Sequence, residues 1–302
     1  MSQTVSPSTA KPYGVQRVAQ VWHVARSTVY AQRRRRAVDT DPPVARRRPG
    51  PRGPCDDATL VSHIRQVLAD SPFHGEGYRK VWARLRFNGL HTSKERVRRL
   101  MREAGLQAPQ RTGHRHGPKV HDRSIIPDGP NKMWGTDLTG TVTVEDGQVG
   151  VFVAVDHHTA ECVGIHAAVR CTRFEALEPI RQGVRACYGG FAEGAADGLT
   201  LRHDHGSQYL ARDFQAEIRF LGITPSPAFV REPEGNGCAE RFIRTLKENL
   251  LWVRTFQTVE ELRQALLDFK RQYNEHWIIG RLGYRTPQQA RKDACLHLEA
   301  AA

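Results

Sequence analysis

The 302-residue chain has no run of eighteen apolar residues, so no membrane-spanning helix is expected. Its opening, MSQTVSPSTAKPYG, lacks the apolar stretch of a secretory signal, and the chain reads as cytoplasmic. Cysteine is scarce. The six present (Cys55, Cys162, Cys171, Cys187, Cys238, Cys295) form no C-x-x-C pair, which argues against a zinc knuckle or a disulfide framework. Isolated cysteines of this kind mostly serve as small buried hydrophobes. No sustained heptad run is found, so no long coiled coil is expected.

Acidic residues are short in one half only. Residues 1–130 hold 25 Lys and Arg against 10 Asp and Glu, whereas residues 131–302 hold 20 against 22. The net charge of +13 therefore comes from the front half. Solubility alone accounts for some basic excess, but a basic front joined to a near-neutral rear is the asymmetry of a nucleic-acid-binding arm attached to something else.

In the front half, VQRVAQVW (15–22) has apolar residues at helical spacing, and a turn follows at 23–26. Ser27 is a candidate N-cap for a second helix, STVYAQRRRR, ending in Arg33, Arg34, Arg35 and Arg36. Residues 1–38 thus predict a helix-turn-helix-like segment. Five prolines and no periodicity make 39–54 a linker. Residues 55–112 predict a second helix-turn-helix unit: amphipathic VSHIRQVLAD, then GYRKVWARLRFNG closed by Gly89, then a capping box from Thr92 to Glu95 opening SKERVRRLMREAG, closed by Gly105. Val97, Leu100 and Met101 share one face of that last helix, and Lys94, Arg98, Arg99 and Arg102 point mostly elsewhere. A charged face is usually just solvated, but two such units in tandem favour phosphate contact. A second Pro- and Gly-rich linker spans 113–130.

In the rear half, MWGTDLTGTVTV alternates as a strand, Glu145-Asp146-Gly147 makes a hairpin turn, and QVGVFVAVD returns. ECVGIHAAV predicts a third strand. A helix over 173–188, the strand LTLRHD, a helix near 209–221, the extended GITPSPA and a helix from Asn236 to about Trp252 follow. This order predicts an α/β layer with a mixed sheet. Asp137 interrupts the first strand, where a core-facing carboxylate is costly without a partner. Asp204 ends the fourth strand, with Gly206 allowing a sharp turn. Glu240 lies in the first turn after Asn236. Lys247 falls seven residues on, at nearly the same angle on the helix, with Arg244 between them. Taken singly, such acids most often cap turns or complement a helix dipole; Asp156 is expected to be that ordinary case. Three carboxylates from separated elements also suit a hard divalent ion such as magnesium. Empty of metal, such a cluster repels itself and is expected to be loose.

HDHGSQY, the thirty-five residues separating Asp204 from Glu240, and GNGCAERFIRTLKEN with Lys247 together resemble the catalytic core of DDE transposases. The resemblance is to the OrfB transposases of the IS-three insertion-sequence type and their retroviral-integrase relatives. WGTDLT resembles that family's first-Asp strand. FHGEGYRKVWARLR and RVRRLMREAGL resemble its integrase-associated helix-turn-helix, and YNEHWIIGRLGYRTPQQA its C-terminal end. The resemblance covers roughly residues 15–290.

It implies a ribonuclease-H-like core over 131–252, followed by a helical extension over 253–302. It further implies Asp137, Asp204 and Glu240 as ligands of Mg2+ or Mn2+, two ions per site, with Lys247 contacting DNA near the reacting end. The implied reaction is strand cleavage by water, then attack of the freed 3′-hydroxyl on a second DNA site. Its partners are the element's terminal inverted repeats and target DNA, a homo-oligomer on DNA, and an upstream OrfA-type segment. A place in the bacterial cytoplasm at the nucleoid goes with them. No role is assigned to the variable stretch from Trp277 to Arg281.

Two other readings keep the same residues. One is a DNA-binding regulator or remnant with an inactive rear domain; the other is a ribonuclease-H-like nuclease without strand transfer. His203 and His205, with His157-His158, raise a zinc site, but no second histidine motif completes a ligand set. Alternate residues on a strand also face opposite ways. The histidines are expected to be neighbours of a metal held by Asp204.

Overall fold

A computed structural model describes residues 3–38, 55–109, 126–227 and 236–301, without the side chains at 35–38 and 297–301. The chain divides into two compact units, Met1–Arg52 and Gly53–Ala302. In the first, α1 (Gly14–Val21) and α2 (Arg26–Val38) flank a turn in which His23 takes φ 51°. The helix already begins at Arg26, so Ser27 lies inside its first turn and is not the cap. Arg33 and Arg34 are exposed on α2, whereas the side chains of Arg35 and Arg36 lie outside the described residues. So do the first linker, most of the second and the loop over 228–235.

The second unit opens with three helices, α3 (Asp57–Ala69), α4 (Tyr78–Phe87) and α5 (Lys94–Glu103). Asp56 caps α3 by accepting the Thr59 N–H at 2.7 Å. Gly89 follows α4 with φ +81°. The cap of α5 is Ser93, whose Oγ accepts the Arg96 N–H at 3.2 Å, and not Thr92. Thr92 instead offers its carbonyl to the Trp82 indole N–H at 2.8 Å. Val97, Leu100 and Met101 are buried as expected, against Leu60, Ile64, Val81 and Leu85.

The sheet is built from β1 (Met133–Thr143), β2 (Gly147–Asp156), β3 (Cys162–Ala168), β4 (Thr200–His203) and β5 (Thr224–Pro227). Its spatial order is β3-β2-β1-β4-β5. The first three strands run antiparallel, and β4 and β5 run parallel to β1. This is the mixed α/β layer that the ribonuclease-H-like expectation describes. α6 (Arg173–Tyr188) joins β3 to β4. The single helix expected near 209–221 is two, α7 (Ser207–Leu210) and α8 (Arg212–Phe220), because Ala211 is extended. The helix after Asn236 is α9 (Gly237–Leu246), which passes into a π-helical turn (Lys247–Leu251). α10 (Val259–His276) and α11 (Pro287–Ala301) complete the chain.

Period-two alternation sorts β2 between two cores. Val149, Val151, Val153 and Val155 pack with Phe242, Leu246 and Phe269 of α9 and α10. Phe152 and Ala154 pack with residues of α6 and α8, among them Leu177, Ile180 and Phe214. At Gly164 a Cβ would lie 1.9 Å from the Pro179 carbonyl oxygen, so only glycine lets α6 rest this close on β3.

The three-helix unit is fastened to the α9–α10 core. Phe73, in the loop after α3, is 3% exposed and meets the rings of Phe269 and Trp277 at 6.2 and 4.8 Å. Glu76 is buried beneath a two-pronged bond from Arg84, at 2.8 and 2.9 Å, and Arg84 also donates to the His276 carbonyl at 3.1 Å. Lys80 lies over the Trp277 ring.

Candidate active site

The pairing of β1 with β4 sets the geometry. Met133 pairs with Thr200, Trp134 with Leu201 and Gly135 with Arg202, a constant offset of 67. The pairing stops there: Asp137 lies two residues beyond Gly135 in β1, and Asp204 two residues beyond Arg202, just past the end of β4. Parallel strands in register send matched side chains to the same face, on strands about 4.8 Å apart. Asp137 remains in β1 opposite Val153 and is half-buried, whereas Asp204 lies just past β4 and is exposed. Each anchors one carboxylate oxygen on a main-chain N–H: Asp137 Oδ1 accepts from Leu138 and Asp204 Oδ1 accepts from Gly206, both at 2.8 Å.

Glu240 is exposed in the first turn of α9, and Lys247 sits where that helix passes into the π turn. The Asp137 carboxylate feels the charges of the other three residues. Burial pushes the Asp137 carboxyl up to about 6, the charges of Asp204 and Glu240 push the same way, and Lys247 opposes them. Burial also raises Glu240. Among the described residues no ion pair engages any of the three carboxylates. Nor does any set of three or more His, Cys, Asp or Glu side chains there stand close enough to hold an ion. Asp137 thus feels the charges of Asp204 and Glu240 without sharing a coordination sphere with them, which like charges without a counter-ion favour.

Asn236 supplies the link that its position as a helix cap did not reveal. Its side chain makes no cap bond; buried at 6% exposure, it donates from Nδ2 to the Thr136 carbonyl at 2.9 Å. This fastens the start of the Glu240 helix to the strand residue beside Asp137. Gly135 makes the approach possible, since a Cβ there would stand 2.3 Å from Asn236 Oδ1 and 2.7 Å from His157 Nε2. A second clamp acts lower on the helix. Asn249 donates from Nδ2 to the Thr245 carbonyl at 2.9 Å and accepts the His74 N–H at 2.8 Å, tying the π turn to the loop after α3.

The other candidates are placed as follows. Lys94 lies over the rings of Trp82 and Tyr284, at 4.3 and 5.8 Å. Arg98 pairs with Glu95, and Arg99 with Asp57 and Glu103. Arg102 is exposed, and Arg244 pairs with Glu248 at 3.0 Å. Much of the cationic face of α5 is therefore already matched by the protein's own acids. His203 is buried, stacks on Tyr209 and turns Nδ1 to the Asp204 carbonyl, while His205 is exposed. Asp156 does cap its turn, accepting from the Thr159 N–H and hydroxyl. In the stretch given no role, Arg281 donates to the carbonyls of His158 and His157 at 2.7 and 3.0 Å.

Comparison with known proteins adds two family matches. Residues 54–114 match the HTH-like domain family and residues 221–287 the integrase core domain family. The second match includes Glu240 and Lys247 but begins after Asp137 and Asp204. The chain is 28% identical over 300 residues to an uncharacterized 48.2 kDa protein of insertion element IS2A of Escherichia coli, covering 96% of this chain and 68% of that one. It is also 28% identical over 250 residues to the Escherichia coli transposase InsD of insertion element IS2, covering 80% and 81%. Among solved structures, the catalytic core domain of BIV integrase aligns at 21% identity with a TM-score of 0.41, over 56% of this chain and 99% of that one. By its two matched domains and its relatives, the chain is a homologue of the insertion-element transposases with an integrase-type core.

Proposed function

We propose that this chain is a DDE transposase that cuts DNA at the ends of an insertion sequence and joins the freed ends to target DNA. What supports the reading is that Asp137 lies in β1, that Asp204 follows β4, the strand paired parallel to β1, and that Asn236, at the start of the Glu240 helix, bonds the Thr136 carbonyl next to Asp137. Asp137, Asp204 and Glu240 would hold Mg2+ or Mn2+, two ions in our reading. All three are hard oxygen donors, each Asp keeps one oxygen clear of its main-chain bond, and among the described residues no ion pair engages any of them. Bound divalent ions make an attacking oxygen nucleophilic and stabilise the leaving one.

The protein's own groups do the rest. The main-chain N–H groups of Leu138 and Gly206 orient the two aspartates. Asp137, which retains its proton more readily than an ordinary aspartate, must release it to serve as an oxygen donor. Lys247, whose charge acts on Asp137, would hold a phosphate oxygen of the reacting end. We assign DNA binding to residues 1–38 and 55–112, catalysis to 131–252, and bracing of the catalytic helix to 253–302. Action as a homo-oligomer on the paired element ends, with an upstream OrfA-type segment, belongs to the same reading.

The test is a magnesium-dependent cleavage and joining assay on DNA carrying the inverted repeats that flank the coding region. Joined products support the proposal. Cut ends alone would make the chain a nuclease, and binding without nicking under any divalent ion would make it a regulator.

A further inference from the structure

A cleft of about 970 Å³ lies between the three-helix unit and the flank of α9. One wall is the loop and helix start over 74–80, the other is formed by α9 and the residues after its π turn, and residues 277–281 close the base. We propose that this cleft binds single-stranded DNA, with phosphates on Arg79, Arg241 and Arg281 and an unpaired base on Trp252. The inference rests on the DNA-processing reading above and adds a substrate form and a site to it.

Among the described residues the acids lining the cleft are Glu76 and Glu248, and each is matched by an arginine, Arg84 and Arg244 respectively. Arg79 and Arg241 are exposed, and no ion pair among the described residues engages either. Arg281 spends its donors on neutral partners, the carbonyls of His157 and His158 and the sulfur of Cys238, and so keeps its full charge. Three guanidinium groups that no described acid pairs, around one concavity, repel each other unless an anion joins them.

An accessible aromatic side chain accompanies the charge. Trp252 lines the cleft yet is 69% exposed, and Val253 beside it is 57% exposed. The π turn produces this: Leu251 enters the core, and Trp252, whose N–H closes the turn on the Lys247 carbonyl at 2.9 Å, is delivered outward. A cationic groove with an accessible aromatic platform is the arrangement that holds single strands, because every unpaired base has a face to stack. A duplex keeps its bases inside and offers such a platform nothing.

Arg241, which lines the cleft, follows Glu240 directly, about 100° around the same helix, so the cleft and one candidate carboxylate are carried by α9.

The experiment is fluorescence anisotropy with a labelled single-stranded oligonucleotide and the matching duplex, in EDTA so that no chemistry is required. Arg79→Ala with Arg241→Ala should weaken single-strand binding about ten-fold or more. The slope of log affinity against log salt should fall by about 1.4, or about 0.7 for each phosphate no longer neutralised. Duplex affinity should change less than about three-fold. Trp252→Ala should weaken single-strand binding by about ten-fold and remove most of the tryptophan quenching that accompanies it. Arg241→Lys should retain most of the affinity, which separates an effect of charge from a failure to fold. Unchanged single-strand affinity in the double arginine variant, or equal weakening of single strand and duplex, overturns the proposal. A protein that binds as described but never cuts DNA would leave this cleft standing and refute the catalytic assignment alone.

Discussion

Asn236 Nδ2 lies 2.9 Å from the main-chain carbonyl oxygen of Thr136, and this one bond joins the helix of Glu240 to the strand of Asp137. Removing it leaves a buried carbonyl unpaired, at a cost of about 1–3 kcal/mol. Asn236→Ala should therefore lower the melting temperature by several degrees and slow strand cleavage more than it weakens DNA binding. Asn236→Asp should do no better, since a carboxylate cannot donate to Thr136. Thermal melts and cleavage rates on the same samples decide it; wild-type cleavage in both variants would remove Asn236 from any positioning role.

Asp137 titrates near 6, above the ordinary 3.8, chiefly because it is buried. A raised folded-state pKa contributes stability that is fully present below 3.8 and is lost as pH rises through about 6. In EDTA, Asp137→Asn should thus be more stable than wild type above pH 6, by up to about 3 kcal/mol, and nearly equal to it at pH 4. Melts from pH 4 to 8 measure the difference. A gap that does not widen with pH would mean that Asp137 is not held in a desolvated, acid-flanked site.

Phe73 belongs to the three-helix unit but is buried among Phe269 and Trp277. Phe73→Ala should cost about 3–5 kcal/mol and convert one melting transition into two as the helices detach from the α9–α10 core. Limited proteolysis in the loop after α3 should accelerate in parallel. A single, unshifted transition would show the packing to be unimportant.

Residues 1–52 carry 11 Lys and Arg against 2 Asp and Glu, a net +9 of the chain's +13. Deleting this compact unit should flatten the salt dependence of duplex binding by about 0.9 for each DNA phosphate that the unit neutralises. Truncation further in, to residue 112, would also withdraw Phe73 and confound binding with folding. An unchanged slope after the shorter deletion would move the duplex-binding surface into the second unit.

Much of this architecture is legible in the sequence, and what is not has physical causes. Alternation in β1 to β3 and the apolar stripe of Val97, Leu100 and Met101 follow from local periodicity, so strands and helices fall where expected. Boundaries slip by one residue where two cap residues adjoin: Thr92 and Ser93 both suit an N-cap, and the Trp82 indole takes the Thr92 carbonyl. The break at Ala211 and the π turn at Lys247 carry no breaker residue, so nothing local announces them. Asp137, Asp204, Glu240 and Lys247 stand out by type and spacing. Asn236, Gly135 and Asn249 do not, because their partners lie across the fold: Thr136 is 100 residues from Asn236, and His74 is 175 from Asn249. The α5 arginines show the opposite case, conspicuous as a charged face yet largely paired within the protein.

The most direct measurement compares strand joining by wild type with that of Asp137→Ala, Asp204→Ala and Glu240→Ala, alongside Mn2+ binding to each protein. Loss of any one carboxylate should cut joining by on the order of a thousand-fold, because several kcal/mol of charge stabilisation go with the ions. Mn2+ affinity should fall with it, while duplex DNA binding stays within about three-fold of wild type, since the basic front half is untouched. Joining that survives the removal of any one of the three acids, or Mn2+ binding indifferent to all of them, would contradict the account.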